Sequence, residues 1–420
     1  MGRLPVTTRH LRAPLAALLA IPLLAALALG LAACGTQTVT IATVLPASGP
    51  DAPLGLAMQR AVDLAVSQNA TPGYQLSVTH LDEASASLVG DLSALAANTS
   101  MVGMVGPYGS AAALAVLPVT AASGIATISP GATLPGLTLA DAAQAEQVPF
   151  ATLHPKGRPL AFFRLPPNDT AAGKAAADVA VAPVGAHGYG VGSVFVVDDG
   201  SASGLATAAA FVQELAGKGA TLAGKATINL AQPDSAQTAV TAIIEANPDL
   251  VFYGGGTATG VALRSTLSLT GAPGVPILTA GPIAGDPGWA AAVGDTPAAA
   301  NTAALLPALD LSVLTSKSAR AFIAAYQNAY PGQALLPQSA LAYDAAMDEI
   351  TAIRQLIHAN KPVTRTAVHT AVSSGKYAGV TGTLAFDANG DDTAPSPFSF
   401  YTCDIKGGWH FVGAVGGSAT

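Results

Sequence analysis

The chain has 420 residues, of which 50% are hydrophobic and only 10% charged, and its formal net charge is -7 at pH 7. The negative balance excludes nucleic acid from the expected partners, because nucleic-acid-binding domains present clustered lysine and arginine. The length suffices for two hydrophobic cores at roughly 100 to 200 residues per domain.

Residues 1–33 have the composition of an export signal. Arg3, Arg9 and Arg12 give a basic start, and the run LAALLAIPLLAALALGLAA that follows contains no charge. This pattern is typical of secretory signals. An uncleaved transmembrane anchor is the alternative, because the run approaches the roughly 20 residues that a bilayer requires. Under either interpretation the remaining chain is extracytoplasmic and tied to a membrane.

Beyond residue 37, predicted strands alternate with predicted helices. Periodicity in the first half predicts strands at 38–45, 74–82, 101–107 and 124–130, and helices at 54–69, 85–97 and 110–123. The alternation pauses in a Pro/Gly-rich stretch at 131–160 and restarts after FFRLPPND. Strand followed by helix, repeated, indicates an α/β protein with a parallel sheet covered on both faces.

The second half repeats this organisation, so we expect two doubly wound parallel sheets. Strands are predicted at 191–199, 220–230, 249–256 and 275–282, and helices at 204–218, 235–246, 260–269, 316–330 and 339–360. The C-terminal stretches GTLAFDANGDD and FSFYTCDIKGGWHFVGA are predicted to form a hairpin-like pair of strands.

The sequence lacks the signatures of the common catalytic sites, including G-x-S-x-G, H-E-x-x-H and G-x-x-x-x-G-K-[ST]. Ser373 and Lys376 fit S-x-x-K, but the companion motifs are absent and an ordinary turn is favoured. DANGDD resembles the start of a calcium loop. However, Asp392 and Phe398 replace the glycine and the glutamate that such a loop needs, so a solvated turn is favoured. We therefore expect no enzyme, no metal and no cofactor.

Polar residues follow two neighbouring strands at the point where a helix or loop begins. Ser110 opens a predicted helix, and Ser129 and Thr133 lie in and after the next strand. Ligands of open α/β sheets bind beyond the carboxyl ends of the strands, where helix N-termini favour anions. These residues are candidates for holding a carboxylate, although Ser110 could equally serve only as a helix cap.

Six segments in order resemble the type I periplasmic binding proteins of branched-chain amino acid ABC transporters. They include IATVLPASGPDAPLGLAMQRAVDLAV, GMVGPYGSAAALAVLPV, GIATISPGATLPGLT and FFRLPPND, together with VFYGGG and FDANGD. The resemblance extends from about residue 38 to 415. Similarly, Leu31 to Ala33 before Cys34 resemble the lipobox of bacterial lipoproteins. This second resemblance implies that Cys34 is diacylated and that residues 34–37 form a short tether.

The family resemblance implies two α/β lobes joined by three crossing strands, with a ligand cleft that closes by a hinge. Carried onto this chain, one lobe comprises 38–164 and 308–384, and the other comprises 168–304 and 388–418. It also implies an extracytoplasmic, lipid-anchored receptor that delivers a small molecule to an ABC permease without catalysis. A sensory module of the same fold is the alternative.

The family's carboxylate-binding positions match this chain at Ser110 and at the loop 131–133, but other pocket positions depart from the pattern. Small residues replace the usual aromatics, and Ile283 stands where the acid that pairs with the ligand's ammonium is expected. Asp286, Asp198 or Asp199 would have to substitute for that acid. The predicted ligand contacts are Leu54, Ser110, Ser129, Gly131, Thr133, Ser203, Thr257 and Asp286.

Overall fold

The computed structural model describes residues 1–2, 36–185, 187–296, 299–395 and 397–416. Nearly all of the predicted export signal, Cys34 and the first half of the tether therefore lie outside the described residues. Within the described residues, no helix is both long enough and apolar enough to span a bilayer.

The first sheet has five parallel strands in the order β2-β1-β3-β4-β5. Strand β1 is apolar and β-branched and is buried from Val39 onward, because helices cover both faces of the sheet. The strands are β1 (Gln37–Leu45), β2 (Tyr74–Asp82), β3 (Met101–Val105), β4 (Ala126–Ser129) and β5 (Phe162–Arg164). The helices between them are α1 (Ala52–Ser67), α2 (Leu88–Ala96), α3 (Ser110–Ser123), α4 (Ala140–Ala145) and α5 (Phe150–Leu153).

The second sheet has seven strands in the order β14-β13-β10-β9-β8-β6-β7, and all run in the same direction except β13, which is antiparallel to both of its neighbours. These are β6 (Ser193–Asp198), β7 (Thr221–Thr227), β8 (Leu250–Gly254), β9 (Ile277–Ala280), β10 (Thr302–Leu306), β13 (Phe398–Cys403) and β14 (Trp409–Val415). Its helices are α6 (Asp169–Val181), α7 (Ala202–Leu215), α8 (Ser235–Ala246), α9 (Thr257–Leu269) and α10 (Pro287–Val293). Separate apolar clusters fill its two faces.

Three later helices pack on the first sheet: α11 (Lys317–Ala329), α12 (Pro337–His358) and α13 (Arg365–Ser374). The short strands β11 (Tyr377–Ala378) and β12 (Thr383–Leu384) follow them. The chain therefore passes between the sheets after Arg164, after Leu306 and after Leu384. We call the five-stranded sheet with its helices the first lobe and the seven-stranded sheet with its helices the second lobe.

The predicted α/β class with two doubly wound sheets is confirmed, but the sequence missed several helices. The stretch 131–160, expected to be irregular, contains α4 and α5, and α6, α10 and α13 were not predicted. The sequence of α6, DTAAGKAAADVAV, is dominated by alanine and so has a weak apolar period, while α10 has only seven residues. Ser373 lies in the last turn of α13 rather than in a loop.

Candidate ligand-binding site

A cavity of about 300 Å³ lies between the two lobes, at the carboxyl ends of strands from both sheets. The first lobe contributes the loops that follow β3 and β4, and the second lobe contributes the loops that follow β6, β8 and β9. This size is at the lower end of the range for small-molecule pockets, which spans roughly 300 to 1,000 Å³. The cavity therefore suits a small solute.

Four helices begin at or next to the cavity wall: α3 at Ser110, α6 at Asp169, α7 at Ala202 and α9 at Thr257. The first N–H groups of a helix have no partner within the helix, and the helix dipole adds partial positive charge there. Four such ends around one small cavity favour an anionic group on the ligand.

Ser110 joins the two lobes at the centre of this wall. Its Oγ accepts hydrogen bonds from the backbone N–H groups of Thr133 and Leu134, each at 3.1 Å. The hydroxyl of Ser203, on the second lobe, donates to the same oxygen at 3.0 Å. The structure thus brings together four of the predicted residues at the cavity, because Gly131 also lines it.

Glu83 holds the loop that precedes Ser110. Its carboxylate accepts hydrogen bonds from the N–H groups of Tyr108 and Gly109, both at 2.7 Å. Burial nevertheless raises the pKa of the Glu83 carboxyl to about 7, with smaller contributions from the negative charges of Asp51 and Asp82. Sequence analysis did not single out Glu83, which follows β2, a strand whose loop does not line the cavity.

Two other predicted contacts, Ser129 and Leu54, do not line the cavity. The Ser129 hydroxyl donates to the carbonyl of Pro107 at 2.6 Å and accepts from the N–H groups of Gly131 and Ala132, so it shapes the loop behind Thr133. Leu54 is 1% exposed in the core of the first lobe. A ligand contact by either residue rests on the sequence alone.

Thr257 and Asp286 also lie behind the cavity wall. Thr257 is buried at the start of α9, next to the lining residues Gly255 and Gly256, and its hydroxyl has no hydrogen-bond partner in the described part of the chain. Asp286 is 4% exposed and caps α10 by accepting from the N–H of Gly288 at 2.7 Å. This carboxylate therefore has a structural partner and does not line the cavity.

The remaining two candidates for an ammonium partner are engaged in turns. Asp198 accepts from the N–H of Gly200 at 2.9 Å. Asp199 lines the cavity, but one oxygen accepts from Ser201 and the other accepts from the N–H of Gly256 at 2.9 Å. Both oxygens of Asp199 thus already fix the loops at the starts of α7 and α9.

Asp169, which sequence analysis did not single out, is the carboxylate best placed for a ligand. It is the first residue of α6, lines the cavity, is only 5% exposed, and its Oδ2 has no hydrogen-bond partner among the described residues. Burial raises the pKa of the Asp169 carboxyl to about 6, while hydroxyls such as those of Thr133 and Ser203 act in the opposite direction. The sequence signal that could have located the start of α6, and with it Asp169, is the adjacent N-cap residue Asn168.

No lysine, arginine or histidine is found among the described residues that line the cavity. Arg164 lies nearby but is 1% exposed and already paired: its Nε and Nη2 donate to Asp391 Oδ1 at 3.0 and 2.7 Å. Its Nη1 donates to the carbonyl of Leu134. The guanidinium therefore connects the loop that contains Thr133 to Asp391, in the segment where the chain passes between the lobes after Leu384.

The DANGDD segment is confirmed as a turn, and its Asp391 is the partner of Arg164 rather than a calcium ligand. In the described ranges, no group of three or more His, Cys, Asp or Glu side chains is arranged to hold a metal ion.

Comparison with known proteins gives one family match and many structural matches. The family model described as "Periplasmic binding protein" matches residues 38–408. A comparison with curated proteins gave no significant match. The leucine-binding protein LivK from Thermotoga maritima superposes with a TM-score of 0.71 and 20% identity, over 90% of this chain and 98% of that one.

Two further structures extend the range of ligands seen on this fold. The branched-chain amino acid binding protein LivJ from Streptococcus pneumoniae, in complex with isoleucine, has a TM-score of 0.69 and 19% identity over 90% of this chain and 99% of that one. A solute-binding protein from R. palustris in complex with benzoate has a TM-score of 0.67 and 18% identity over 90% and 96%. At such identities the likeness is one of fold.

Proposed function

Because the chain belongs to the periplasmic binding protein family, we propose that it is the solute-binding component of an ABC transporter and captures a small zwitterion between its lobes. The family implies an extracytoplasmic location. The observation that carries the proposal is the buried carboxylate of Asp169, whose Oδ2 has no hydrogen-bond partner among the described residues, at the wall of a small cavity bordered by helix N-termini.

The two ends of a zwitterion match the two kinds of group in the cavity. The ligand's carboxylate binds the Ser110 hydroxyl and the first N–H groups of α3, where the helix dipole favours negative charge. Its ammonium binds Asp169, the lining carboxylate whose Oδ2 has no hydrogen-bond partner among the described residues. A buried ammonium without such a partner costs several kcal/mol by rough estimate.

This arrangement supports an amino acid more than a simple carboxylate. The structural relatives named above bind leucine, isoleucine and benzoate. A benzoate-like anion would place its one charge in a cavity that contains Asp169 and Asp199 and, among the described lining residues, no cationic side chain. An amino acid with a small or medium aliphatic side chain balances both charges.

Binding is coupled to lobe closure in this proposal. Ser110 belongs to the first lobe and Asp169 to the second, so a ligand that contacts both stabilises only the closed form. The permease then recognises the closed form at the membrane. We further propose that Cys34 is lipidated, which keeps the receptor beside its permease.

A thermal-shift screen of the purified full-length chain in detergent tests the ligand class. We expect leucine or another aliphatic amino acid to raise Tm, because a ligand at a hundredfold excess over Kd adds about 2.7 kcal/mol of stability. The matched des-amino acid, 4-methylpentanoate in the case of leucine, should not. If only carboxylates without an ammonium group stabilise the protein, the role proposed for Asp169 is wrong.

A further inference from the structure

The first strand, β1, begins at one edge of the first sheet. Gln37 opens β1, and its N–H donates to the carbonyl of Gly73 at 3.1 Å, just before β2 begins. Because the five strands are parallel, all of them begin at this same edge. We call it the entry edge and define it by segments 36–37, 68–73, 97–100, 124–125 and 154–161.

The turn between α12 and α13, residues 358–365, also belongs to the entry edge. Arg365 donates through Nε to the carbonyl of Met101 at 2.8 Å and through Nη2 to that of Asn98 at 2.8 Å. Arg354, one turn before the end of α12, donates to the Asn69 side chain at 2.7 Å. These bonds fix the turn beside the starts of β2 and β3.

The entry edge is basic and contains no acid. Its six described segments contain no aspartate or glutamate, whereas Lys156, Arg158 and Lys361 are exposed there. The opposite edge of the same sheet has the reverse composition: segments 46–51, 82–87 and 106–109 contain Asp51, Asp82 and Glu83 and no lysine or arginine. Since the whole chain has a net charge of -7, the basic edge is not a consequence of overall composition.

The entry edge lies close in sequence to Cys34, the proposed point of membrane attachment. Three residue steps join Cys34 to Gln37. At about 3.5 Å per residue they span about 10 Å. The Debye length is about 8 Å at physiological ionic strength. A membrane attachment at Cys34 therefore keeps Gln37, at the start of β1, within about 10 Å of the lipid headgroups, a distance comparable to the Debye length.

We propose that the entry edge of the first lobe binds the anionic headgroups of the membrane through Lys156, Arg158 and Lys361, and so orients the tethered receptor. The proposal rests on the proposed N-terminal membrane attachment but not on the identity of the solute. In this orientation the carboxyl edge, with its acids and the cavity, faces away from the lipid. Each lysine or arginine near an anionic bilayer increases the affinity of a protein for that bilayer by roughly fivefold.

Lysine protection on vesicles tests this orientation. The full-length chain is reconstituted through its N-terminal segment into vesicles of phosphatidylcholine, with or without phosphatidylglycerol. A water-soluble amine-acylating reagent is then applied, and the rate at each lysine is followed by mass spectrometry. On anionic vesicles at low salt, Lys156 and Lys361 should react several-fold more slowly than on neutral vesicles, with recovery at high salt. Lys225 and Lys406, exposed on the second lobe, serve as internal references.

Charge reversal provides the second measurement. The variant R158E/K361E should lose the salt-dependent protection at Lys156, and K156E/R158E should lose it at Lys361, while the milder R158Q/K361Q and K156Q/R158Q should reduce it. The matched variant K174E/K225E/K406E, on the second lobe, should retain protection at Lys156 and Lys361. Melting curves of each variant check the fold.

Equal reactivity of Lys156 on neutral and anionic vesicles would overturn the proposal. Protection that appears only when a permease is reconstituted with the chain would also overturn it, because the edge would then bind protein. The thermal shift with amino acids is measured without vesicles, so failure of the lipid contact and failure of the proposed solute function give separate results.

Discussion

Replacement of Asp169 by asparagine tests the most specific step in the proposed binding mode. The variant keeps the size of the side chain and removes its charge. Loss of a buried charge partner weakens binding by about 2 to 4 kcal/mol, which is thirtyfold to several hundredfold in Kd. We therefore expect D169N to bind leucine at least thirtyfold more weakly than the unmodified protein, as measured by isothermal titration calorimetry.

The pH dependence of binding gives a second readout of the same group. Burial raises the pKa of Asp169 to about 6. An ammonium ligand needs the ionised carboxylate, which is about nine-tenths of the population at pH 7 and about one-tenth at pH 5. The apparent affinity should therefore rise about tenfold from pH 5 to pH 7, and D169N should abolish this rise.

Asp286→Asn is the control, because Asp286 was the acid that the sequence predicted at the ligand. Since its carboxylate caps α10, D286N should lower stability by about 1 kcal/mol and leave ligand affinity unchanged. Loss of leucine binding in D286N with retention in D169N would contradict the proposed role of Asp169, and so would full pH dependence in D169N.

Three further predictions concern the hydrogen bond between the lobes, the buried ion pair of Arg164, and the pH dependence of stability. Ser203→Ala removes the cross-lobe bond to Ser110, and should weaken ligand affinity in calorimetry about fivefold, the effect of about 1 kcal/mol. Asp391→Asn leaves the buried Arg164 guanidinium without its counterion, and should lower the urea-derived free energy of unfolding by about 2 to 3 kcal/mol. Burial raises the pKa of the Asp348 carboxyl to about 7, above its value near 4 in the unfolded chain. The contribution of this carboxyl to stability is therefore complete below pH 4 and is lost as the pH rises through 7. Calorimetric Tm should therefore be lower at pH 8 than at pH 5, and an equally large decrease in D348N would contradict this origin.

The fold could be predicted from the sequence because most elements have clear periodicity. The strand YQLSVTHLD and the helices 110–123 and 235–246 have the predicted bounds. Helix α6 could not be found this way, since ten of its thirteen residues are alanine, glycine, valine or threonine and give almost no contrast between faces. Its position was needed to place Asp169 at the cavity.

The candidate site was predictable only in part. Ser110, Gly131, Thr133 and Ser203 occupy the cavity because they lie at strand-to-helix junctions, which local sequence reveals. The choice among carboxylates depended on hydrogen bonds that sequence does not encode locally. One oxygen of Asp199 accepts from the N–H of Gly256, 57 positions away, whereas Oδ2 of Asp169 has no hydrogen-bond partner among the described residues.

The distribution of these groups over two lobes determines how tightly a ligand can bind. The Ser110 oxygen accepts from the loop 133–134 and from Ser203, so part of the contact between the lobes is made by the protein's own groups. A ligand that only repeated that contact would not shift the equilibrium between open and closed forms, because the shift equals the difference in its affinity for the two. In the proposed binding mode, an ammonium at Asp169 adds a contact that neither Ser203 nor the loop 133–134 supplies, and it forms only when the second lobe is close. From the proposed binding mode we therefore expect a solute without an ammonium group to bind the first lobe but to stabilise the closed form less.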